Sequence, residues 1–227
     1  PIKTIIIDHH ATNKSYADIN LIDTSSPATA FILFQLLKSW EIEITPEIAS
    51  NLFTGIYTDT GGFKYPPADY TDYRVLQSAS ELAKIATDFT KTIFVMENSN
   101  EKESIYFQAL ALNSIKTFCN DNIVISSVSN KQLKDKNIDY NSISVHSISN
   151  TLKSVVGWNI AVSMVEKESN VVKISCRTRD ALKYDVSKLA LELGGGGHKS
   201  AAGATLFMSI DEAIKKVVET AKVIYNL

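Results

Sequence analysis

Gly194-Gly195-Gly196-Gly197-His198-Lys199-Ser200-Ala201-Ala202-Gly203, near the end of the chain, and Asp8-His9-His10, near its start, are the stretches that together decide the fold. Four consecutive glycines lose much backbone entropy on folding, so a folded domain keeps them only where the chain bends sharply or something comes close. A glycine loop that ends in histidine can present backbone N–H groups and one imidazole to an anion. A flexible linker is the plainer alternative. Against it, the run is short and lies between the apolar Leu189–Leu193 and Ala201-Ala202-Gly203-Ala204, not within a long Ser/Gly stretch.

Asp8-His9-His10 follows Ile5-Ile6-Ile7, a β-branched apolar run expected to be a buried strand. Polar residues at the C-terminal end of such a strand sit where α/β sheets place their ligands. Imidazole and carboxylate together suit Mn or Zn, so the triplet points to divalent-metal or phosphate chemistry.

Two further blocks carry the argument: Thr54-Gly55-Ile56-Tyr57-Thr58-Asp59-Thr60-Gly61-Gly62-Phe63-Lys64-Tyr65 and Ser175-Cys176-Arg177-Thr178-Arg179. In order and spacing the four blocks resemble the DHH phosphoesterase superfamily with a DHH-associated C-terminal domain. The compact arrangement is similar to its oligoribonuclease (nanoRNase) and 3′-phosphoadenosine-5′-phosphate phosphatase branch. The resemblance covers the whole chain and implies an α/β fold in two lobes. The first would be part of a DHH domain with a parallel sheet and helices (1–94). A helical linker (95–119) and a smaller mixed-sheet α/β substrate-binding domain (120–227) would follow.

The resemblance also implies roles. His9 and Asp59 would bind one metal, with two divalent ions in the complete protein, Mn foremost. His10 would lie beside the scissile phosphate as hydrogen-bond or proton donor, and Asp8 would orient a histidine. His198 with Gly195, Gly196 and Gly197 would hold the substrate phosphate or its terminal nucleotide. Arg177 and Arg179 lie two apart on an expected strand and so share a face. Arginine binds phosphate bidentately, although a solvated edge pair is the alternative. Phe63 and Tyr65 could stack a base or pack in the core. His146, Trp40 and Trp158 are expected to be packing residues.

One departure from the family pattern is large. The chain starts at Pro1, and no H-x-x-x-D-x-D strand precedes Asp8-His9-His10. The expectation is a chain lacking the start of its DHH domain and inactive by itself. The implied partners are short single-stranded RNA or DNA or a nucleotide, with a homodimer left open and a cytoplasmic location expected. Three alternatives stay open: a cyclic-dinucleotide phosphodiesterase, a RecJ-type exonuclease, and a nucleic-acid-binding module without catalysis.

Composition narrows little beyond this. A net charge of −2 over 227 residues provides no global basic footprint for nucleic acid. Two cysteines, Cys119 and Cys176, are too few for a disulfide framework and are expected as small buried residues. No apolar run has transmembrane length.

Local signals place the elements. Ser26-Pro27 is expected to open a helix whose stripe includes Phe31, Phe34 and Leu37, and Thr45-Pro46 a second reaching Ile56. A third helix is expected over 72–86, and linking helices over 88–118. Strands are expected at 123–128, 158–165 and 171–176, the last two forming a hairpin, and a helix at 144–155. Asp185 should cap a helix ending at Gly194. Ser209 and Glu212 should form a capping box for the final helix.

Overall fold

The computed structural model describes residues 2–10, 13–64 and 73–227. The chain divides into two compact units, 1–99 and 100–227. In the first unit, β1 (Ile5–Asp8) pairs in parallel with β2 (Ile19–Ile22), with Asp8 opposite Ile22. Helices α1 (Thr29–Ser39), α2 (Pro46–Asp59), α3 (Tyr73–Ile85) and α4 (Phe89–Asn98) follow. Phe31 and Phe34 of α1, Leu52, Phe53 and Ile56 of α2, and Val75, Ala79 and Leu82 of α3 form its core.

Thr45 caps α2 as expected, its hydroxyl accepting from the Ile48 amide with Pro46 in the first turn. The start of α1 differs. The helix begins at Thr29 and its N-cap, Ala28, offers no side-chain bond. The Ser26 hydroxyl instead donates to Asp23, so the serine closes the preceding loop. Ile5-Ile6-Ile7 also departs from a buried strand. Ile5 is 62% exposed because, among the described residues, β2 alone pairs with β1. Trp40, expected to pack, is exposed. The expected start of the third helix, Asp72, lies outside the described residues, as does Tyr65.

The second unit is built on a six-stranded sheet. Its strands are β3 (Lys116–Phe118), β4 (Ile123–Val128), β5 (Ile160–Glu168), β6 (Val171–Thr178), β7 (Gly196–His198) and β8 (Ala201–Leu206), in spatial order β3-β4-β5-β6-β8-β7. Only β4 and β5 run parallel; the other neighbours are antiparallel. Helices α5 (Lys102–Asn113), α6 (Asn130–Asp135), α7 (Val145–Lys153), α8 (Val186–Glu192) and α9 (Ile210–Tyr225) complete it.

Strand alternation sorts the core onto two faces. Ile123 and Ile125 of β4, with Ile160, Val162 and Met164, pack with Leu189 of α8 and Val217 of α9. Val124, Val128, Ala161 and Val165 pack on the other face with Phe107 of α5, Leu133 of α6, and Ile148 and Leu152 of α7. Helices on both faces explain why β5 reads as a continuous apolar run. Cys176 is buried on the first of these faces, and burial pushes its thiol up to about 12. Cys119 is half-buried.

The β5–β6 hairpin turns through Ser169 and Asn170, with Asn170 at φ 61°. The Ser209–Glu212 capping box at α9 and the Asp185 cap of α8 are both formed. The 95–119 segment expected as a linker is divided between the units. Its α4 end belongs to the first, whereas α5 and β3 belong to the second, because Phe107 and Ala111 are buried in that unit's core. Phe107→Ala should therefore destabilise the second unit by about 3–5 kcal/mol, whereas the exposed neighbour Tyr106→Ala should be nearly neutral. Thermal melts of the two variants check this. Among the described residues, no helix is long and apolar enough to cross a membrane.

Candidate active-site residues

The end of β1 delivers Asp8, His9 and His10 into a loop tied down by hydrogen bonds to Asp8. The Asp8 carboxylate accepts from the backbone amides of His9 (2.7 Å) and His10 (3.2 Å), from the Asn13 amide (2.7 Å) and from His10 Nδ1 (2.7 Å). The Asn13 amide and the His10 ring, with the two backbone amides, hold the Asp8 carboxyl well below the usual carboxylate range. Asp8 is therefore ionised, and the expected orienting role falls on His10. With Nδ1 donating to Asp8, His10 turns Nε2 outward from an exposed ring.

His9 points the other way. Its Nδ1 lies 3.3 Å from the Ser26 carbonyl, which can only accept, so Nδ1 carries the hydrogen and Nε2 keeps its lone pair. That Nε2 lies 3.6 Å from Asp59 Oδ2. Asp59 is the last residue of α2, held by the turn that ends the helix. The buried Thr60 hydroxyl donates to the Ile56 carbonyl (2.7 Å) and accepts from the Phe63 amide (3.0 Å). Gly61, Gly62 and Phe63 all have positive φ, which reverses the chain within three residues. The Phe63 ring meets Tyr57 edge to face at 5.7 Å, so it packs within the unit. The structure thus unites His9 with Asp59, and Asp8 with His10. Among the described residues no group of three or more His, Cys, Asp or Glu side chains converges.

The glycine run in the second unit is not the open loop expected. Gly194 closes α8 at φ 78°, and Gly196–His198 form β7, paired antiparallel to β8 with Gly197 opposite Ala202. As the edge strand, β7 still turns one row of backbone groups away from the sheet. The glycines have different reasons to be glycine. A Cβ at Gly195 would meet the Gly203 carbonyl oxygen at 2.1 Å, and one at Gly197 the Ala201 oxygen at 2.6 Å. At Gly196 a Cβ would meet nothing within 4 Å. The His198 imidazole is exposed, with no hydrogen-bond partner among the described residues.

The two arginines share a face, as their spacing predicts, and both reach α7. Arg177 donates from Nε to the Asn150 side chain (3.1 Å) and from Nη1 to Ser175 Oγ (3.1 Å) and the Cys176 carbonyl (3.0 Å). Arg179 lies just beyond β6 and donates to the carbonyls of Lys153 (3.0 Å) and Ser154 (2.9 Å). Its Nη1 thereby satisfies the C-terminal end of α7, while the residue itself stays exposed. His146, expected to pack, is exposed on α7, where partial desolvation together with Arg177 lowers its pKa. Asn13 and Asn150 carry no signal in the sequence, since nothing local distinguishes them from loop or helix polar residues, and Ser26 signals only a helix start.

Residues 120–224 match the DHHA1 domain. That match covers β4–β8 of the second unit's sheet, the glycine–histidine strand among them, while Asp8-His9-His10 stands in the first unit. Residues 120–224 are thus a DHHA1 domain, and the chain as a whole is similar to DHH-superfamily proteins. It is similar to the bifunctional oligoribonuclease and PAP phosphatase NrnA of Thermus thermophilus, with 29% identity over 221 residues. The match spans 96% of the chain and 63% of that relative. The Bacillus subtilis protein of the same name is 25% identical over 219 residues, spanning 93% of the chain and 64% of the relative. The chain therefore spans under two thirds of the length of these relatives. In fold, it matches an exopolyphosphatase-related protein from Bacteroides fragilis with a TM-score of 0.88 at 22% identity, covering all of this chain and 65% of that one.

Proposed function

We propose that this chain is part of a metal-dependent phosphoesterase that hydrolyses short oligonucleotides or 3′-phosphoadenosine 5′-phosphate to nucleoside monophosphates. The observation that carries the proposal is the 3.6 Å approach of His9 Nε2 to Asp59 Oδ2, from the end of a strand and the end of a helix. Donors about 2.1 Å from one cation, at tetrahedral or octahedral angles, lie roughly 3–3.5 Å apart, so the pair fits one ion with little adjustment. Imidazole with carboxylate suits manganese. The NrnA relatives, named as oligoribonuclease and PAP phosphatase, supply the substrate class.

When bound, a pair of divalent ions would supply charge neutralisation and an activated water near neutral pH. The chain's own groups account for the rest. His9 and Asp59 would hold one ion, with the Ser26 carbonyl keeping His9 Nε2 unprotonated. Ionised Asp8 keeps the hydrogen on His10 Nδ1 and stabilises the ring when it is protonated. His10 Nε2 can then donate to the leaving oxygen.

Substrate recognition is assigned to the second unit, where sixteen of the 23 lysine and arginine residues lie, which favours an anion. Arg177, His198 and Gly196 are its primary contacts. Gly195 and Gly197 shape the hairpin, and Arg179 supports the face through α7.

The test is steady-state hydrolysis of a dinucleotide by the intact protein under defined manganese, with nucleoside monophosphate as the product. Arg177→Ala and His198→Ala are expected to raise KM at least tenfold with metal content unchanged. Arg177→Lys should rescue poorly, because an ammonium cannot bond Asn150 and Ser175 as the guanidinium does while also binding phosphate. Loss of metal in either alanine variant, or an unchanged KM in both, would contradict the assignment.

A further inference from the structure

Behind His9 lies a chain of groups that the family motifs do not include. Asp23 follows β2, and its backbone amide donates to the Asp8 carbonyl, which fixes the residue beside the end of β1. Its carboxylate gathers Ser25 and Ser26. Oδ1 accepts from the Ser25 amide (3.0 Å) and the Ser25 hydroxyl (2.6 Å), and Oδ2 accepts from the Ser26 hydroxyl (2.6 Å). The Ser26 amide donates to the Asp23 carbonyl at 3.2 Å. These bonds place the buried Ser26 so that its carbonyl faces His9 Nδ1.

We infer that Asp23 is a positioning residue for His9. Acting through Ser26, it sets the tautomer and ring direction that aim Nε2 at Asp59. The inference rests on the proposed metal-ligand role of His9 only for its consequence; the geometry stands without it. A backbone carbonyl cannot choose its own direction, and here it is directed by a carboxylate with three donors. The same bonds explain why Ser26 is withheld from capping α1. Partners that orient a ligating histidine in this way are typically worth 10–100-fold in metal affinity.

The test uses the 227-residue chain, whose four histidines allow the ring signals to be assigned by substitution. In the wild type, ¹⁵N spectra of the neutral imidazole are expected to show His9 protonated on Nδ1. In Asp23→Ala the two ring-nitrogen shifts of His9 should converge, as for a mixture of tautomers. Mn²⁺ affinity, followed by broadening of the His9 signals, should fall about tenfold. Ser26→Ala, which removes one link and keeps the carbonyl, should move both readouts in the same direction by less. A wild-type His9 protonated mainly on Nε2 overturns the inference whatever the variants do. So do folded Asp23→Ala and Ser26→Ala chains with wild-type His9 shifts. If the tautomer shifts in Asp23→Ala while the wild type binds no Mn²⁺, the positioning role is upheld and the metal assignment fails.

Discussion

Hydrolysis of a dinucleotide is expected to be lost in the intact protein carrying His9→Ala or Asp59→Ala, with substrate binding much less affected. Each change removes one of two donors that approach to 3.6 Å. Of this pair only a lone carboxylate or a lone imidazole then remains, which leaves the ion short of a ligand at that position. The loss should amount to several kcal/mol of transition-state stabilisation, about a thousandfold or more in kcat. His10→Ala should differ, retaining metal but losing rate, because its ring is held by Asp8 and its Nε2 faces outward. Residues 1–227 alone, with no group of three or more His, Cys, Asp or Glu side chains converging among those described, should bind manganese weakly and turn over negligibly. Metal analysis and single-turnover rates under defined manganese check all of this. Wild-type turnover in either alanine variant removes that residue from the ligand set. Tight binding of two manganese ions by the 227-residue chain, with full turnover, removes the proposal that further ligands are needed.

The second large effect separates glycines that look alike. Gly195→Val and Gly197→Val are expected to destabilise the second unit by about 3 kcal/mol or more. At both positions the new Cβ would fall on a backbone carbonyl of the hairpin, which cannot swing away as a flexible side chain can. Gly197 adds backbone strain at φ 144°. Gly196→Val should melt like the wild type, because its Cβ points into open space on an edge strand that tolerates β-branched residues. Its effect should appear as a raised KM, through a side chain placed where an anion would approach the strand. Thermal melts beside dinucleotide kinetics decide between the two roles. A Gly196→Val variant that melts early, or one with unchanged KM, would make the whole run a packing device.

Local chemistry was legible wherever cause and effect lie within a few residues. The Thr45-Pro46 start of α2, the Asp185 cap of α8 and the Ser209–Glu212 box of α9 all formed as expected, because a cap is satisfied by amides two or three positions away. The β5–β6 hairpin and the shared face of Arg177 and Arg179 follow equally from a period of two. The four motif blocks, by their order and spacing, carried the resemblance to the DHH superfamily, and that resemblance implied a shared role for His9 and Asp59, which the structure places 3.6 Å apart.

What the sequence could not carry depended on groups brought together from far along the chain. Ser26 is a good capping residue by type, yet Asp23 and His9 claim it, and α1 starts at Ala28-Thr29 without a side-chain cap. Arg179 has the chemistry of a phosphate ligand, yet its Nη1 is engaged by the open end of α7. The four glycines are identical as letters, but the register of β7 on β8 sets two of them against a carbonyl oxygen and leaves Gly196 facing open space. Side-chain type determines which bonds a residue can make. Which of those bonds are made is decided by the partners that the folded chain brings within hydrogen-bond reach, and a buried donor or acceptor takes the partner that spares it an unmatched desolvation cost.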